Sequence, residues 1–283
     1  MMKALYSGVS GMRTHQTKMD VIGNNIANVN TYGFKTQRAT FRDIYYQTLR
    51  NPGSPDTDRG GTNASQVGYG AQIGSVDIIH TISGYSPTGK LTDVYINGEG
   101  YLRVINSSGD ILYTRLGALN FDSAGNLVDV NGSRVVGLDN EGGHITATPT
   151  ATQLEAAKPI QINEYDKYRN ITINSDGSIT AVYTDDKIYT IGWIPVYNIP
   201  NQDSLILEGN SYYSVGNNAG TPIANVPGAG GTGPLVTGGL EMSNVDLANE
   251  FSEMIVTQRG FQANTKIISV VDQMLEELVN LKR

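Results

Sequence analysis

Proline is confined to the middle of this chain. All ten prolines lie between Pro52 and Pro234, whereas the seven methionines lie outside that interval, and 28 of the 33 glycines fall between residues 36 and 243. Proline breaks helices and, together with glycine, forms the corners of turn-rich β structure. The 283-residue chain is therefore predicted to have two helical ends around a β-rich middle.

The N-terminal end carries apolar residues at heptad-like spacing, with steps of 4, 3, 7, 3, 4 and 3 residues. Such spacing predicts a helix with one apolar face that packs against a partner helix. One polar residue occupies the position that the apolar series skips. The predicted seam consists of Leu5, Val9, Met12, Gln16, Met19, Ile22, Ile26 and Val29.

The C-terminal end shows a second seam, with apolar steps of 4, 3, 7, 7 and 7 residues. Ser243 or Asn244 is predicted to cap the start of this helix. The first end is mainly basic and the second mainly acidic, which favours pairing of the two helices as a coiled coil. The second seam consists of Leu247, Phe251, Met254, Gln258, Phe261, Ile268 and Leu275.

The simplest interpretation of these ends is an antiparallel helical hairpin within an ordinary monomeric protein. Polar seam residues such as Gln16 and Gln258 weigh against it, because each polar seam position lowers the stability of an isolated pair. A pair of this kind would gain stability by packing against copies of itself.

The middle of the chain repeats one turn pattern three times, in INSSGDI (105–111), FDSAGNL (121–127) and INSDGSI (173–179). Each is predicted to be a hairpin corner in which an Asn or Asp side chain bonds the backbone and glycine takes a positive φ. Asn97-Gly98 and Asn131-Gly132 add candidates for type I′ turns. A compact antiparallel β domain is the resulting prediction.

The predicted fold class is α+β, with long terminal helices paired as a coiled coil, extended connectors and a central antiparallel β domain. The predicted boundaries are 1–35 for the N-terminal helix, 36–74 for a connector, 75–216 for the β domain, 217–242 for a return connector and 243–283 for the C-terminal helix. The connector predictions rest on segments rich in Gly, Pro and small polar residues.

The composition argues against several kinds of chemistry. There is no cysteine, and the net charge of −7 argues against a nucleic-acid partner. No apolar run is long enough to insert into a membrane, and the N-terminus lacks the apolar segment of a secretory signal peptide. His15, His80 and His144 have no metal-ligand spacing. The chain is expected to be a non-enzyme without cofactor or metal.

Both ends resemble one known family. SGVSGMRTHQTKMDVIGNNIANVNTYGFK (7–35) resembles the N-terminal signature of bacterial flagellar rod and hook proteins, and residues 241–283 resemble their C-terminal segment. The resemblance also covers much of residues 59–125 and fades between about 140 and 235. The segments SNVDL and EMIVTQRGFQAN are most similar to hook proteins, whereas YQTLRNPG (46–53) is similar to the distal rod pattern.

This resemblance implies a structural subunit of a helical homopolymer that is exported by the flagellar type III apparatus without a cleaved signal. It favours a subunit of the flagellar hook, a curved tube outside the cell that transmits torque to the filament and forms part of the export channel. The implied partners are further copies of the chain, the distal rod protein, the hook cap, the hook–filament junction proteins and the export apparatus. A distal rod subunit is the alternative, and an extracellular adhesin or binding module is a third.

The segment NNIANVNTYGFK (24–35) is the strongest family signature and is interpreted as a hinge between helix and connector. Its amides, Asn24, Asn25 and Asn28, lie off the seam and are predicted to face neighbouring subunits. Gly33 is predicted to stop the helix with a positive φ. The hinge residues are Asn24, Asn25, Asn28, Asn30, Thr31, Gly33, Phe34 and Lys35.

Overall fold

The computed structural model describes residues 2–55, 57, 60–139, 149–162 and 165–281. These residues divide into two compact units. The terminal unit contains the described residues of Met1–Val29, Thr36–Ile79 and Val245–Arg283. The central unit contains those of Asn30–Lys35 and His80–Asn244.

The described helices and strands follow one another in the order of the chain. The helices are α1 (Met2–Ala27), α2 (Ala151–Glu155) and α3 (Leu247–Asn280). The strands are β1 (Gln37–Asp43), β2 (Tyr46–Arg50), β3 (Ser65–Gly68), β4 (Ala71–Ile78), β5 (Tyr85–Pro87), β6 (Val94–Ile96), β7 (Leu102–Ile105), β8 (Ile111–Thr114), β9 (Leu119–Phe121), β10 (Leu127–Asp129), β11 (Arg134–Asp139), β12 (Lys158–Pro159), β13 (Tyr168–Ile173), β14 (Ser178–Tyr183), β15 (Ile188–Trp193), β16 (Val196–Asn198), β17 (Leu205–Gly209), β18 (Tyr212–Val215), β19 (Ile223–Asn225), β20 (Leu235–Thr237) and β21 (Gly239–Glu241).

In the terminal unit, α1 and α3 run antiparallel and contact each other along much of α1. Gly8 lies against Ile268, and Lys18 forms an ion pair of 2.5 Å with Glu253. From the first contact to the second, the residue number increases along α1 and decreases along α3, as expected for antiparallel helices. Small residues make the closest approaches, because a glycine lets the neighbouring helix come near its backbone.

The start of α3 differs from the predicted cap. Asp246, and neither Ser243 nor Asn244, is the N-cap, and its side chain accepts hydrogen bonds from the backbone N–H groups of Ala248 and Asn249. The prediction was wrong because several capping residues stand in a row here, and composition alone does not select among them. Among the described residues, no helix has the length and apolar character needed to cross a membrane.

Residues 36–74, predicted as an extended connector, hold strands β1, β2 and β3 of the terminal unit and the first half of β4. Strand β1 pairs antiparallel with β4, and β2 pairs antiparallel with β3. The proline and glycine residues that suggested a connector lie largely in the loop between β2 and β3. The turn-rich composition therefore marks one loop, while the flanking residues form two β-ladders.

The central unit is built on an antiparallel sheet of eleven strands. Eight of them follow the order β13-β14-β15-β11-β7-β8-β18-β17, with β12 and the β9–β10 pair joined at β11. The core of this unit includes the fully buried side chains of Leu102, Leu119, Leu127, Ile179 and Ile191. This arrangement agrees with the predicted antiparallel β middle.

Residues 217–242, predicted as a return connector, also contribute strands to the central unit. Strands β19, β20 and β21 pair with β16, β6 and β5 in three small antiparallel sheets. Their short lengths, three residues each, explain why the composition resembled a connector.

The three predicted hairpin corners are confirmed. Gly109, Gly125 and Gly177 have φ values of +88°, +79° and +83°. In the first two corners the Asn106 and Asp122 side chains accept two backbone N–H bonds each, as predicted. The third corner differs, because the side chain of Asp176 accepts the backbone bond there.

The two type I′ predictions were wrong. A type I′ turn needs a positive φ at both central residues, and neither Asn97 nor Asn131 has one. Asn131-Gly132 belongs to a fourth corner of the Asx kind, in which Asp129 accepts N–H bonds from Asn131 and Ser133. The strand before Asn97-Gly98 pairs with β20 and forms no hairpin with β7.

Candidate functional site

The signature segment belongs to both units, since Asn24–Val29 lies in the terminal unit and Asn30–Lys35 in the central unit. In the terminal unit its chief residue is Asn25, which is 1% exposed. The Asn25 amide makes two bonds to the Gln37 backbone, donating to its carbonyl at 2.8 Å and accepting from its N–H at 3.0 Å. The same amide donates to Glu250 Oε1 at 3.0 Å. One side chain thus joins α1 to the start of β1 and to the first turn of α3.

This geometry corrects the prediction that Asn25 faces a neighbouring subunit. Its amide is buried and bonded within the chain, so it holds the subunit's own elements together. Asn28 donates to the Asn24 carbonyl at 2.9 Å and extends the hydrogen bonding of the helix beyond Ala27. Asn24 is exposed and Asn28 is partly exposed, so contact with a neighbour remains a prediction for this pair.

The Glu250 carboxyl is part of the same group of contacts. Burial is the largest influence on it and raises its pKa, while the bonds from Asn25 and Thr36 act in the opposite direction. A carboxylate in the first turn of a helix is also favoured by the helix dipole. The amide of Asn25 and the hydroxyl of Thr36 are therefore the main groups that favour the ionised form of the Glu250 carboxyl against its burial.

In the central unit the signature continues as a turn that is bonded to β21. Gly33 has the predicted positive φ, +71°, but it does not stop the helix, because α1 ends at Ala27. The prediction of a helix that extends to residue 35 was therefore wrong at its C-terminal end. The Gly33 N–H donates to the Glu241 carbonyl at 2.9 Å. Asn30 is exposed, whereas Thr31 and Phe34 are partly buried. The backbone at Gly33 also passes close to that of Leu116, where an added Cβ would lie 3.3 Å from the Leu116 nitrogen.

Lys35, the last residue of the signature, ends in a buried charge cluster with Arg115 and Glu241. The three side chains are 0%, 2% and 1% exposed. Lys35 Nζ lies 2.7 Å from Glu241 Oε1, and Arg115 Nε lies 2.6 Å from Glu241 Oε2. One carboxylate therefore serves two cations, and the cluster carries an excess positive charge.

Backbone carbonyl groups offset that excess charge. Arg115 donates to the carbonyls of Ile96, Gly98 and Gly100 at 3.3, 2.8 and 3.0 Å. Gly98 and Gly100 have φ values of +151° and +127°, which lets the loop INGEG curl around the guanidinium group. Arg115 follows directly after β8, and Glu241 lies on β21, so both are fixed by paired strands.

Burial lowers the pKa of Lys35, and the nearby Arg115 charge lowers it further, while Glu241 raises it. Glu241 is therefore the group that favours the charged form of this ammonium against burial and against the Arg115 charge. Buried charges are tolerated only when they are paired and hydrogen-bonded. The cluster is suited to holding segments of chain together.

Sequence reasoning identified Lys35 as a signature residue and missed Arg115 and Glu241. One signal for Glu241 was available, since it is the only charged residue between Glu208 and Asp246. A lone charge in a long uncharged, turn-rich segment is a candidate for a buried ion pair. No comparable signal distinguishes Arg115.

The predicted seam residues of α1 lie mostly on its covered side. Ile22 is buried and Gln16 is exposed. The remaining members are partly buried, namely Leu5, Val9, Met12, Met19, Ile26 and Val29. Smaller residues, Gly8 and Thr14, are more deeply buried than most of the predicted seam.

On α3 the predicted seam divides between two faces. Leu247, Phe251 and Gln258 are exposed, whereas four members are partly buried, namely Met254, Phe261, Ile268 and Leu275. The buried residues of this helix are Thr257 and Val271. The covered face of α3 thus consists of Met254, Thr257, Phe261, Ile268 and Val271. It does not include Leu247 and Phe251, the two predicted seam residues nearest the N-terminus of the helix. The prediction erred there because it followed the large apolar residues and passed over Thr257.

A second, uncovered apolar stripe runs along the C-terminal half of α3. Ile267, Val270, Met274, Leu278 and Leu281 are 39% to 82% exposed and follow steps of 3, 4, 4 and 3 residues. That spacing places them on one side of the helix. A contiguous exposed apolar stripe on a helix is typical of a surface that binds another protein chain.

The described residues offer little for catalysis. Within the described ranges, no group of three or more His, Asp or Glu side chains is positioned to hold a metal ion. Tyr101 contacts His80 at 2.9 Å, and burial lowers the His80 pKa to about 4. His15 packs edge-on against Phe41. His144 lies outside the described residues.

Comparisons with known proteins agree with the resemblance noted in the sequence. Residues 5–35 match the family model of the flagella basal body rod protein. Residues 95–181 match the model of the flagellar hook protein FlgE/F/G D1 domain, and residues 236–281 match the C-terminal model of the flagellar basal body rod FlgEFG protein. These matches include both terminal helices and part of the eleven-stranded sheet.

Whole-length relatives carry the names of structural flagellar proteins. The chain is 45% identical over 284 residues to the flagellar basal-body rod protein FlgG of Bacillus subtilis, with all of both chains covered. It is 35% identical over 285 residues to FlgG of Borreliella burgdorferi, and 27% identical over 442 residues to the flagellar hook protein FlgE of the same organism, again with full coverage of both chains. None of these three names is that of an enzyme. The chain therefore belongs to the family of flagellar rod and hook proteins.

Proposed function

We propose that this protein is a rod subunit of the flagellar basal body, and specifically of the distal rod. The observation that carries the proposal is its 45% identity to a basal-body rod protein along the full length of both chains. The comparison within Borreliella burgdorferi supports the same choice, because the chain is 35% identical to the rod protein and 27% identical to the hook protein.

The rod proposal replaces the preference for a hook subunit. That preference depended on the similarity of the C-terminal segment, which rod and hook relatives share. Length also favours the rod, since the alignment to rod FlgG of Borreliella burgdorferi runs over 285 residues and that to its hook protein over 442. The hook cap and the hook–filament junction proteins, which followed from the hook interpretation, are not partners in this proposal.

The terminal unit supplies the surfaces for self-assembly in this proposal. Helices α1 and α3 form a coiled coil within the subunit, with Ile22, Met254 and Phe261 among its inner residues. The exposed stripe of Ile267, Val270, Met274, Leu278 and Leu281 then packs against terminal helices of neighbouring copies. Burial of apolar surface contributes about 25 cal/mol per Å². A stripe of five large side chains is therefore a substantial source of association free energy.

The remaining partners are expectations from family membership. They are the adjoining axial proteins of the basal body and the flagellar type III export apparatus. Export without a cleaved signal remains a prediction of the same kind, and the proposed location is the basal body of the flagellum.

Electron microscopy of the concentrated, purified full-length chain tests self-assembly. We expect straight tubes at high protein concentration, since a rod is a straight shaft. Curved tubes would support the hook alternative. Protein that stays monomeric at every concentration would contradict assembly through the terminal helices and favour the adhesin or binding module.

A further inference from the structure

Three segments of the central unit lie next to the points in the sequence at which the chain passes from one unit to the other. Residues 30–35 are flanked on both sides by terminal-unit sequence, residues 80–83 directly follow it, and residues 241–244 directly precede it. We call these the three boundary segments. The buried charge cluster of Lys35, Arg115 and Glu241 contacts all three of them within the central unit.

The Lys35 ammonium group joins one boundary segment to the other two. Its Nζ donates to the Thr81 carbonyl at 2.6 Å and to Glu241 Oε1 at 2.7 Å. The same carboxylate oxygen accepts from the backbone N–H of Ser83 at 3.1 Å. A single buried ion pair thus holds residues from each boundary segment within hydrogen-bond distance of one another.

Neutral hydrogen bonds connect the same three segments. Gly33 N–H donates to the Glu241 carbonyl at 2.9 Å, and the Ser83 hydroxyl donates to the Ser243 carbonyl at 2.8 Å. The Asn244 amide donates to Thr81 Oγ1 at 2.9 Å. These bonds surround the ion pair, so opening any one segment weakens bonds in the others.

Arg115 ties the group to the body of the sheet. It follows β8 of the eleven-stranded sheet, and its guanidinium group contacts Glu241, the carbonyl of the last residue of β6 and two carbonyls of the loop between β6 and β7. If residues 30–35 or 241–244 detached, a buried charge would lose its ion-pair partner, which is strongly unfavourable. If residues 80–83 detached, Lys35 and Glu241 would each lose a buried hydrogen bond. The three segments therefore open and close together.

We propose that Lys35, Arg115 and Glu241 form an electrostatic clamp that holds the three boundary segments on the β sheet, and that a closed clamp is required for assembly. Lys35 is thereby a positioning residue inside the subunit, in contrast to a residue that contacts a neighbouring copy. The part of this inference that concerns assembly rests on the proposed function, and the part that concerns the clamp does not.

Hydrogen exchange of the purified full-length chain tests the clamp. Lys35→Met keeps the length of the side chain and removes its charge, so the Thr81 carbonyl and the Glu241 carboxylate lose their shared donor. We expect the amides of residues 31–35, 80–83 and 241–244 to exchange about 100-fold faster, because unsatisfied buried partners strongly favour the open state. The amides of β7 and β14 should keep their protection.

Lys90→Met is the matched control in the same unit. Lys90 also forms an ion pair, to Asp93 at 3.6 Å, but its side chain is 44% exposed. Exchange in the boundary segments should stay at the wild-type rate in this variant. Equal acceleration in both variants, or no acceleration in Lys35→Met, would overturn the clamp.

A second experiment, in living cells, distinguishes a positioning role of Lys35 from a general loss of protein stability. In a strain that lacks the gene, the wild-type protein and Leu127→Ala should both restore assembled flagellar rods, although the latter destabilises the core around a fully buried side chain. Lys35→Met should not restore them at a growth temperature where its central unit remains folded. Normal rods with Lys35→Met would overturn the assembly requirement.

The two arms fail in different ways. If the wild-type protein restores no rod, the proposed function is wrong, and the exchange result still decides whether the clamp exists. If Lys35→Met does not fold, Ser83→Ala replaces it, because that change removes only the 2.8 Å bond to the Ser243 carbonyl. Faster exchange in all three boundary segments is then expected, because they open together, and unchanged exchange there would overturn the clamp.

Discussion

Glu241→Gln is expected to lower the free energy of unfolding of the central unit by about 3–5 kcal/mol, the loss typical of removing one partner from a buried ion pair. Glutamine keeps the shape of the side chain but leaves the buried cations of Lys35 and Arg115 without an anion. Because Glu241 is the group that raises the Lys35 pKa, that pKa should fall further in the variant. Urea unfolding monitored by Trp193 fluorescence measures the loss.

The pH dependence gives this prediction a second signature. When the folded pKa of a lysine lies below its unfolded value, the unfolded state binds more protons, so stability rises with pH up to the ordinary value of 10.5. The rise should begin at a lower pH and be larger in total in Glu241→Gln than in the wild type. Glu208→Gln, an exposed carboxyl bonded to Ser214, should change stability by less than about 0.5 kcal/mol. A loss below 1 kcal/mol in Glu241→Gln would contradict the account of the cluster.

Gly11→Leu is expected to weaken assembly strongly by separating α1 from α3. An added Cβ at Gly11 would lie 2.8 Å from the side-chain amide of Asn264, which is itself held by a bond of 2.9 Å to the Gly260 carbonyl. Overpacking of this kind costs about 1–3 kcal/mol. The critical concentration for tube formation, measured by sedimentation, should rise by up to about 100-fold, because every 1.4 kcal/mol corresponds to a factor of ten.

Gly23→Leu on the same helix is the control. An added Cβ at Gly23 meets no atom within 4 Å, and both substitutions raise helix propensity by about 0.8–1.0 kcal/mol. A difference between the two variants therefore reports the contact between the helices. If Gly23→Leu assembles as poorly as Gly11→Leu, or if both assemble like the wild type, the contact at Gly11 does not control assembly.

The parts of the fold that follow from local chemistry could be predicted from the sequence. The Asx corners at Asn106 and Asp122 were found because a short side chain and a glycine settle the turn within seven residues. The terminal helices were found because proline is absent and apolar residues recur at helical spacing. The antiparallel β middle followed from these corners.

The parts that depend on residues far apart in sequence could not be predicted. Asn25 bonds to Gln37 and Glu250, which lie 12 and 225 residues away in the sequence. Glu241 bonds to Lys35 and Arg115, which lie 206 and 126 residues away. Periodicity also favours large apolar residues over small ones, so the seam prediction passed over Gly8 and Gly11. Those glycines matter because they let a second helix approach, and hydrophobicity does not reveal this property.

Imaging of flagellar basal bodies in a strain that lacks this gene tests the central claim most directly. If the protein is a distal rod subunit, the basal bodies should end at the proximal rod, with neither distal rod nor hook, and reintroduction of the wild-type gene should restore both. Basal bodies with a complete rod and no hook would contradict the rod assignment and support the hook. Complete rods and hooks in the deletion strain would contradict a role in either structure.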